Sequence, residues 1–360
     1  MLNDQDLFTK SLRPLAAALL ASLAIGCGSA TPPEAPPGKP MNPAQPDPSL
    51  LEMMGPSTPS QPAAPAPDAK KLEEQKKLQD DFAKLDAELA AEKARFDDAI
   101  RKELAALSSK NHADARTALG AILKGKHRVP GNADRDKWRH PVETLSFLQV
   151  KPTSSVLELD AGGGWYTELL APLLAQKGKL TVTAPDPNGP TTERSTLYGK
   201  RLRGFLDKAP ELGGKVSFVA VDRSAPKFGE ADSYDVVLAF RTMHGWERAG
   251  TMDKQLAEAF RVTKPGGVFG VEQHRANPGS DPKVVAEKGY LPEQYVIDRA
   301  VAAGFKLDQK SEVNANPKDT KDHADGVWTL PPNYRSGDKD KYASIGESDR
   351  MTLRFIKPKK

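Results

Sequence analysis

The run Val156-Leu157-Glu158-Leu159-Asp160-Ala161-Gly162-Gly163-Gly164-Trp165-Tyr166 constrains this chain more than any other stretch. An apolar segment carrying an acid meets three consecutive glycines, and Thr167-Glu168-Leu169-Leu170 then begins an amphipathic stretch. That pattern predicts a buried strand, a tight turn and a helix start. Glycines suit such a turn because side chains would hold a ligand away from the main chain, and because the bend calls for positive φ. Amides at the helix start then offer unpaired donors. Glu158, late in the strand, is placed to accept hydrogen bonds from an amine or a hydroxyl. By itself, the turn demands only a compact strand-to-helix connection.

The succession behind it says more. Apolar strand patterns fall at Lys179–Ala184, at 215–221 and at Tyr234–Phe240. Residues 261–271 close a helix with Lys264-Pro265-Gly266-Gly267 and open a fifth strand. Residues 293–304 read as a helix, with Tyr295, Val296, Ala300 and Val301 on its apolar side. Residues 305–313 and Arg350–Ile356 alternate as a sixth and a seventh strand. Strands alternating with helices imply a parallel sheet with right-handed crossovers. Ligands in such sheets bind beyond the strand C-termini, where the strand order reverses.

Residues 158–164, Tyr234-Asp235-Val236-Val237-Leu238 and Lys264-Pro265-Gly266-Gly267 together resemble class I S-adenosylmethionine-dependent methyltransferases. More narrowly, Arg139-His140-Pro141-Val142-Glu143-Thr144-Leu145, residues 162–168 and residues 314–322 resemble a group of bacterial predicted methyltransferases, from about Asn132 onward. The resemblance implies a Rossmann-like seven-stranded α/β sheet with an antiparallel last strand, helices on both faces and S-adenosyl-L-methionine as cofactor. On that pattern Glu158, Asp160, Gly162, Gly163, Gly164, Trp165 and Tyr166 flank the cofactor. The ribose acid belongs at the end of the second strand, where Ala184 stands, so Asp186 becomes the candidate. Asp222 matches the position that accepts the adenine amino group, and Arg241 follows the fourth strand where donor and acceptor meet. Asp160 replaces a common glycine. Its carboxylate either pairs with the cofactor's ammonium or opposes its carboxylate.

Methyl transfer from a sulfonium is an in-line displacement on a donor that is already electrophilic, so the protein chiefly supplies proximity and alignment. A base is needed only where the acceptor must lose a proton, and histidine suits that. His244 and His274 are the candidate bases, with Glu272 beside them, set against plain structural roles. If the fifth strand persists, Glu272 and His274 point opposite to Val271 and Gln273. No cluster has metal-ligand spacing, although His244, His274 and Glu272 have the chemistry to meet as a trio. His140 and Arg139 precede the helix begun by Pro141, and either face the pocket or cap that helix. The long stretch 314–349 leaves the sheet on the ligand side. Carrying Asn314, Asn316, Asp319 and Trp328, it reads as a lid, the plainer alternative being a surface loop.

The N-terminal part reads differently. Lys10 and Arg13 precede an apolar stretch over 15–25 that ends on Gly26-Cys27, too short for the roughly 20 residues of a spanning helix. Segment 1–27 resembles a lipoprotein-type signal with Cys27 lipidated, against an ordinary cleaved signal or an uncleaved anchor. Segment 28–69, rich in proline and alanine, reads as a disordered tether. Segment 70–110 is a charged helical spacer, one helix or a hairpin, that either mediates oligomer formation or lies solvated on the domain. Residues 111–360 form the methyltransferase-like domain. The net charge of +4, from 52 basic and 48 acidic residues, gives no bias toward nucleic acid. A single cysteine excludes a disulfide framework within the chain.

These features favour methyl transfer to a small-molecule or envelope acceptor by a membrane-anchored, periplasm-facing lipoprotein. The alternative is a non-catalytic module that uses the same crevice to hold a metabolite. A nicotinamide dehydrogenase is disfavoured, because its fingerprint wants glycine where Thr167 stands.

Overall fold

The computed structural model describes residues 69–335 and 337–359. The signal segment 1–27 with Cys27, and the tether up to residue 68, lie outside the described residues. Seven strands run as β1 (Ser155–Leu159), β2 (Lys179–Ala184), β3 (Val216–Ala220), β4 (Tyr234–Phe240), β5 (Thr263–His274), β6 (Lys306–Ser311) and β7 (Arg350–Ile356). They form one sheet in the order β3-β2-β1-β4-β5-β7-β6. Strands β1 to β5 pair in parallel, and β7 lies antiparallel between β5 and β6. The order reverses between β1 and β4, which is where such sheets bind ligands.

Helices cover both faces, so the central strands are apolar on both sides. Val156, Val236, Leu238 and Val268 pack toward Leu145, Leu148, Leu169 and Leu170. Their alternates Leu157, Val237, Phe269 and Val271 pack toward Leu256, Val262, Val296 and Phe355. Strand β6, at the sheet edge, is mostly exposed. The Lys264–Gly267 turn differs from its sequence reading, because β5 begins at Thr263 and takes the turn in as a register break opposite β4. Gly266 there has φ 79°, and its amide donates to the Lys357 carbonyl at 2.8 Å, a partner close in space but far in sequence.

Segment 70–110 forms two helices, Ala69–Arg95 and Asp98–Ser109. They break where Asp97 caps the second by accepting from the Ile100 amide at 2.8 Å. Leu78, Phe82 and Leu85 pack on Leu197 of the helix Arg194–Asp207. Phe96, Ile100 and Leu104 enter the main core. Lys208, buried between the Phe96 and Phe205 rings, pairs with Glu92 at 2.9 Å and fastens the segment. The apolar seam of the spacer is therefore covered by its own domain.

Candidate functional site

The turn after β1 is built from both strained and bare backbone. Asp160 adopts φ 46°, Gly162 φ 61° and Gly164 φ 81°. A Cβ on Gly164 would lie 2.6 Å from the Phe205 ring, so helix and turn approach only with glycine there. Gly162 and Gly163 differ from it. A Cβ on Gly162 would meet only the Asp160 carbonyl at 3.9 Å, and one on Gly163 only Arg201 Cδ at 3.8 Å. Both residues line a cavity of about 620 Å³, so the missing side chains leave room for a ligand against the main chain.

Asp160 is engaged by the protein itself. Its carboxylate accepts from Thr242 Oγ1 at 2.8 Å, Trp246 Nε1 at 3.0 Å and Arg223 Nη2 at 3.1 Å, which stitches the turn to the elements after β3 and β4. Glu158 also lines the cavity and accepts from Thr167 Oγ1 at 2.7 Å. Burial pushes its pKa up to about 8, against the opposing pull of that hydrogen bond and of Arg241. Trp165 and Tyr166 follow on the same wall. Tyr166 stacks on Phe240 with ring centroids 3.8 Å apart, and its hydroxyl donates to Glu272 at 2.8 Å.

Across the cavity stand two imidazoles and the lid. His244 opens the helix Met243–Arg248 after β4, and His274 ends β5. Their rings lie 5.9 Å apart, and Trp328 lies 5.8 Å from His244. His274 Nδ1 sits 2.5 Å from Ser348 Oγ, and Gln273 Nε2 sits 3.4 Å from His244 Nδ1. Surrounding protein pushes His244 down to about 4 and His274 well below its ordinary value, with neighbouring arginines adding to the effect. Both rings still open onto the cavity, so each is a neutral proton acceptor within reach of a ligand.

Part of stretch 314–349 borders the crevice. Val327, Trp328, Pro331, Pro332, Asn333, Glu347 and Ser348 line it. Asn314, Asn316 and Asp319 do not, because they hold the lid together. Asn314 donates to Thr144 and Thr352, and Asn316 donates to the Ile345 and Glu347 carbonyls. Asp319 bonds with Tyr290, His323 and the Asp349 amide. His140 also stays off the cavity, with φ 39° and Nδ1 3.4 Å from Asn314 Oδ1, whereas Arg139 lines it.

Two of the expected acids do not line the cavity, and one oxygen of each is used in its own turn. Asp186 accepts from the Asn188 amide at 2.9 Å and Asp222 from the Ser224 amide and hydroxyl at 2.8 Å, each closing its own turn. Their neighbours Pro185 and Arg223 line the cavity instead. Glu272 is fully buried beneath the wall, 3.0 Å from Arg241 Nη1, so it acts on the cavity through that arginine. The sequence reading missed Arg135, Glu347, Ser348 and Arg350. The only signal for the last three is the charged run Glu347-Ser348-Asp349-Arg350 entering β7, at the strand end that meets the ligand side of β5.

Residues 157–271 match a family model described as a methyltransferase domain. The chain is 28% identical over 207 residues to the sterol 24-C-methyltransferase of Yarrowia lipolytica, a match covering 54% of this chain and 48% of that protein. It thus spans about half the length of that relative. A SAM-dependent methyltransferase from Aquifex aeolicus is similar in structure, at 15% identity over 67% of this chain and 98% of that one, with a TM-score of 0.43. The N-methyltransferase NodS from Bradyrhizobium japonicum gives 17%, 63%, 97% and 0.38. The domain match runs from within β1 to within β5, the parallel part of the sheet that carries the glycine turn, and it supports a class I methyltransferase reading with S-adenosylmethionine as cofactor.

Proposed function

We propose that the chain moves a methyl group from S-adenosylmethionine to a small-molecule acceptor held inside the lidded cavity. One observation carries this reading. The side-chain-free floor at Gly162 and Gly163 and the roof at Trp328, His244 and His274 close on the same hollow of about 620 Å³. Glu158, Gly162, Gly163 and Tyr166 would hold the cofactor. Asp160, engaged by three donors, does not stand as a free charge against it. When bound, the cofactor supplies an electrophilic methyl group.

The protein's own part is alignment, exclusion of water and proton acceptance. Trp328 and the Pro331-Pro332 pair shield the hollow from above. His274, fixed through Nδ1 by Ser348, presents Nε2 as the acceptor for a proton leaving the substrate, and His244 lines the same side. The relative's sterol is a poor guide to the acceptor. Here Arg135, Arg139, Arg201, Arg223, Arg241 and Arg248 all line the hollow, which suits a polar molecule better than an apolar ring system.

Titration calorimetry of the full chain with S-adenosylhomocysteine tests the reading. Micromolar binding that Gly163→Arg abolishes supports it, and silence from folded protein contradicts it. The envelope location is a separate part of the proposal and is supported by the sequence alone, through Lys10, Arg13, the apolar stretch over 15–25 and Gly26-Cys27. Lipid on Cys27 would hold the domain at the membrane by burial of acyl chains. Palmitate labelling lost in Cys27→Ser supports the anchor, and an unlabelled wild-type chain contradicts it.

A further inference from the structure

One wall of the cavity carries more positive charge than the protein's own acids balance. Four guanidinium groups, on Arg135, Arg139, Arg241 and Arg350, converge on two carboxylates, Glu347 and Glu272. Glu347 takes Arg135 Nε at 2.7 Å, Arg139 Nε at 3.0 Å and Arg350 Nη1 at 2.5 Å. Glu272 takes Arg241 Nη1 at 3.0 Å and lies 2.9 Å from Arg350 Nε, at an angle that leaves that N–H without a hydrogen bond. Its remaining partner, the Tyr166 hydroxyl, is neutral. His244, His274 and Glu158, which line the same cavity, add no charge near neutral pH, because burial lowers the two imidazoles and raises the Glu158 carboxyl to about 8.

The surplus of two positive charges sits where charge is costly. Arg139, Arg350, Glu272 and Glu347 are each at most 5% exposed, and an uncompensated buried ion is strongly unfavourable. Burial drives the Arg135 pKa down, and Arg241 and Arg350 drive it further. The donors are also incompletely used. Among the described residues, both terminal nitrogens of Arg135 and Arg139 and one terminal nitrogen of Arg241 make no hydrogen bond, yet all three residues line the cavity. Unpaired guanidinium forks match the paired oxygens of a carboxylate or a phosphate.

We propose that this arginine wall recognises an oxyanion, a carboxylate or phosphate, carried by the methyl acceptor, so that the acceptor is an acid. The word acceptor rests on the methyltransferase reading, whereas the charge count does not. The cofactor is the other possible source of an oxyanion in this hollow, and its charges argue against it. Its single carboxylate arrives with an ammonium and a sulfonium, which adds to the positive surplus. An acidic acceptor reduces it and is held beside the two neutral imidazoles.

Calorimetric titration of inorganic phosphate into the full chain, with and without saturating S-adenosylhomocysteine, tests the wall. Millimolar phosphate binding is expected in both states, weakened about tenfold or more by Arg135→Gln, with S-adenosylhomocysteine affinity changed by less than about threefold. Phosphate binding blocked by S-adenosylhomocysteine would assign the wall to the cofactor and overturn the proposal. No phosphate binding in either state also overturns it. The wild-type pair of titrations decides the matter even if the variant fails to fold. If S-adenosylhomocysteine itself does not bind, the methyltransferase reading fails, and the ligand-free phosphate titration still tests the charge site.

Discussion

The floor and the roof of the cavity are made by different physics. The floor, over residues 158–164, takes its backbone path from local sequence, a buried strand, positive-φ turns and a helix start, with Asp160 tying it to the elements after β3 and β4. The roof, over 314–349, has little regular structure beyond the short helices Gly326–Thr329 and Lys339–Ala343. Its shape depends on buried polar groups that reach across the chain, with Asp319 alone joining Tyr290, His323 and the Asp349 amide. A floor of this kind fails by steric filling and leaves the fold intact. A roof of this kind fails by loss of partners, because a buried donor left unpaired costs far more than a hydrogen bond contributes.

The largest expected effect breaks the floor alone. Gly163→Arg places a long side chain where only Arg201 Cδ stands nearby. S-adenosylhomocysteine affinity should fall more than about 100-fold by calorimetry, with the melting temperature nearly unchanged. Equal loss of binding and folding would erase the distinction between floor and roof. Next comes the roof. Asp319→Ala strands four donors at once, the Lys321 amide among them, and should lower unfolding free energy by about 2–4 kcal/mol in urea titrations. A loss within error would show that the roof is not held by its polar network.

A smaller effect sharpens the floor. Burial raises the Glu158 pKa to about 8 from an ordinary 4.5, so the folded chain holds this proton more tightly than the unfolded one. That contribution is complete below the unfolded value and is lost as pH rises through about 8. Glu158→Gln still accepts from Thr167 and never ionises. It should melt close to wild type near pH 5 and above it near pH 9, at about 2–4 °C per kcal/mol. Parallel melting curves across that range would contradict the assignment. Smallest is the state of the imidazole under the roof. His244, held down to about 4, should show a neutral-ring NMR shift at every pH above about 5. A midpoint near the ordinary value of about 6.5 would place it in open water.

The same division explains what the sequence made legible. The bounds of β2, β4 and β7 follow from apolar alternation between turn residues and agree with the structure. The start of β5 does not, because the Lys264–Gly267 bulge depends on Lys357 and Asp235, which local patterning does not register. Of the residues that line the cavity, the glycine turn, the two histidines and Trp328 are ones that strand ends and the family resemblance single out. Asp186 and Asp222 were assigned from a family position, while their own Asx turns use their carboxylates. The arginine wall was invisible because its members meet only in space, with Arg135 and Glu347 lying 212 residues apart in the chain.

A crystal structure of the full chain with S-adenosylhomocysteine tests the central claim most directly. The account predicts the adenosyl group against Gly162 and Gly163, beneath Trp328, with the arginine wall still open beside it. A ligand bound elsewhere, or a cavity that stays empty while the lid keeps its hydrogen bonds, would contradict it.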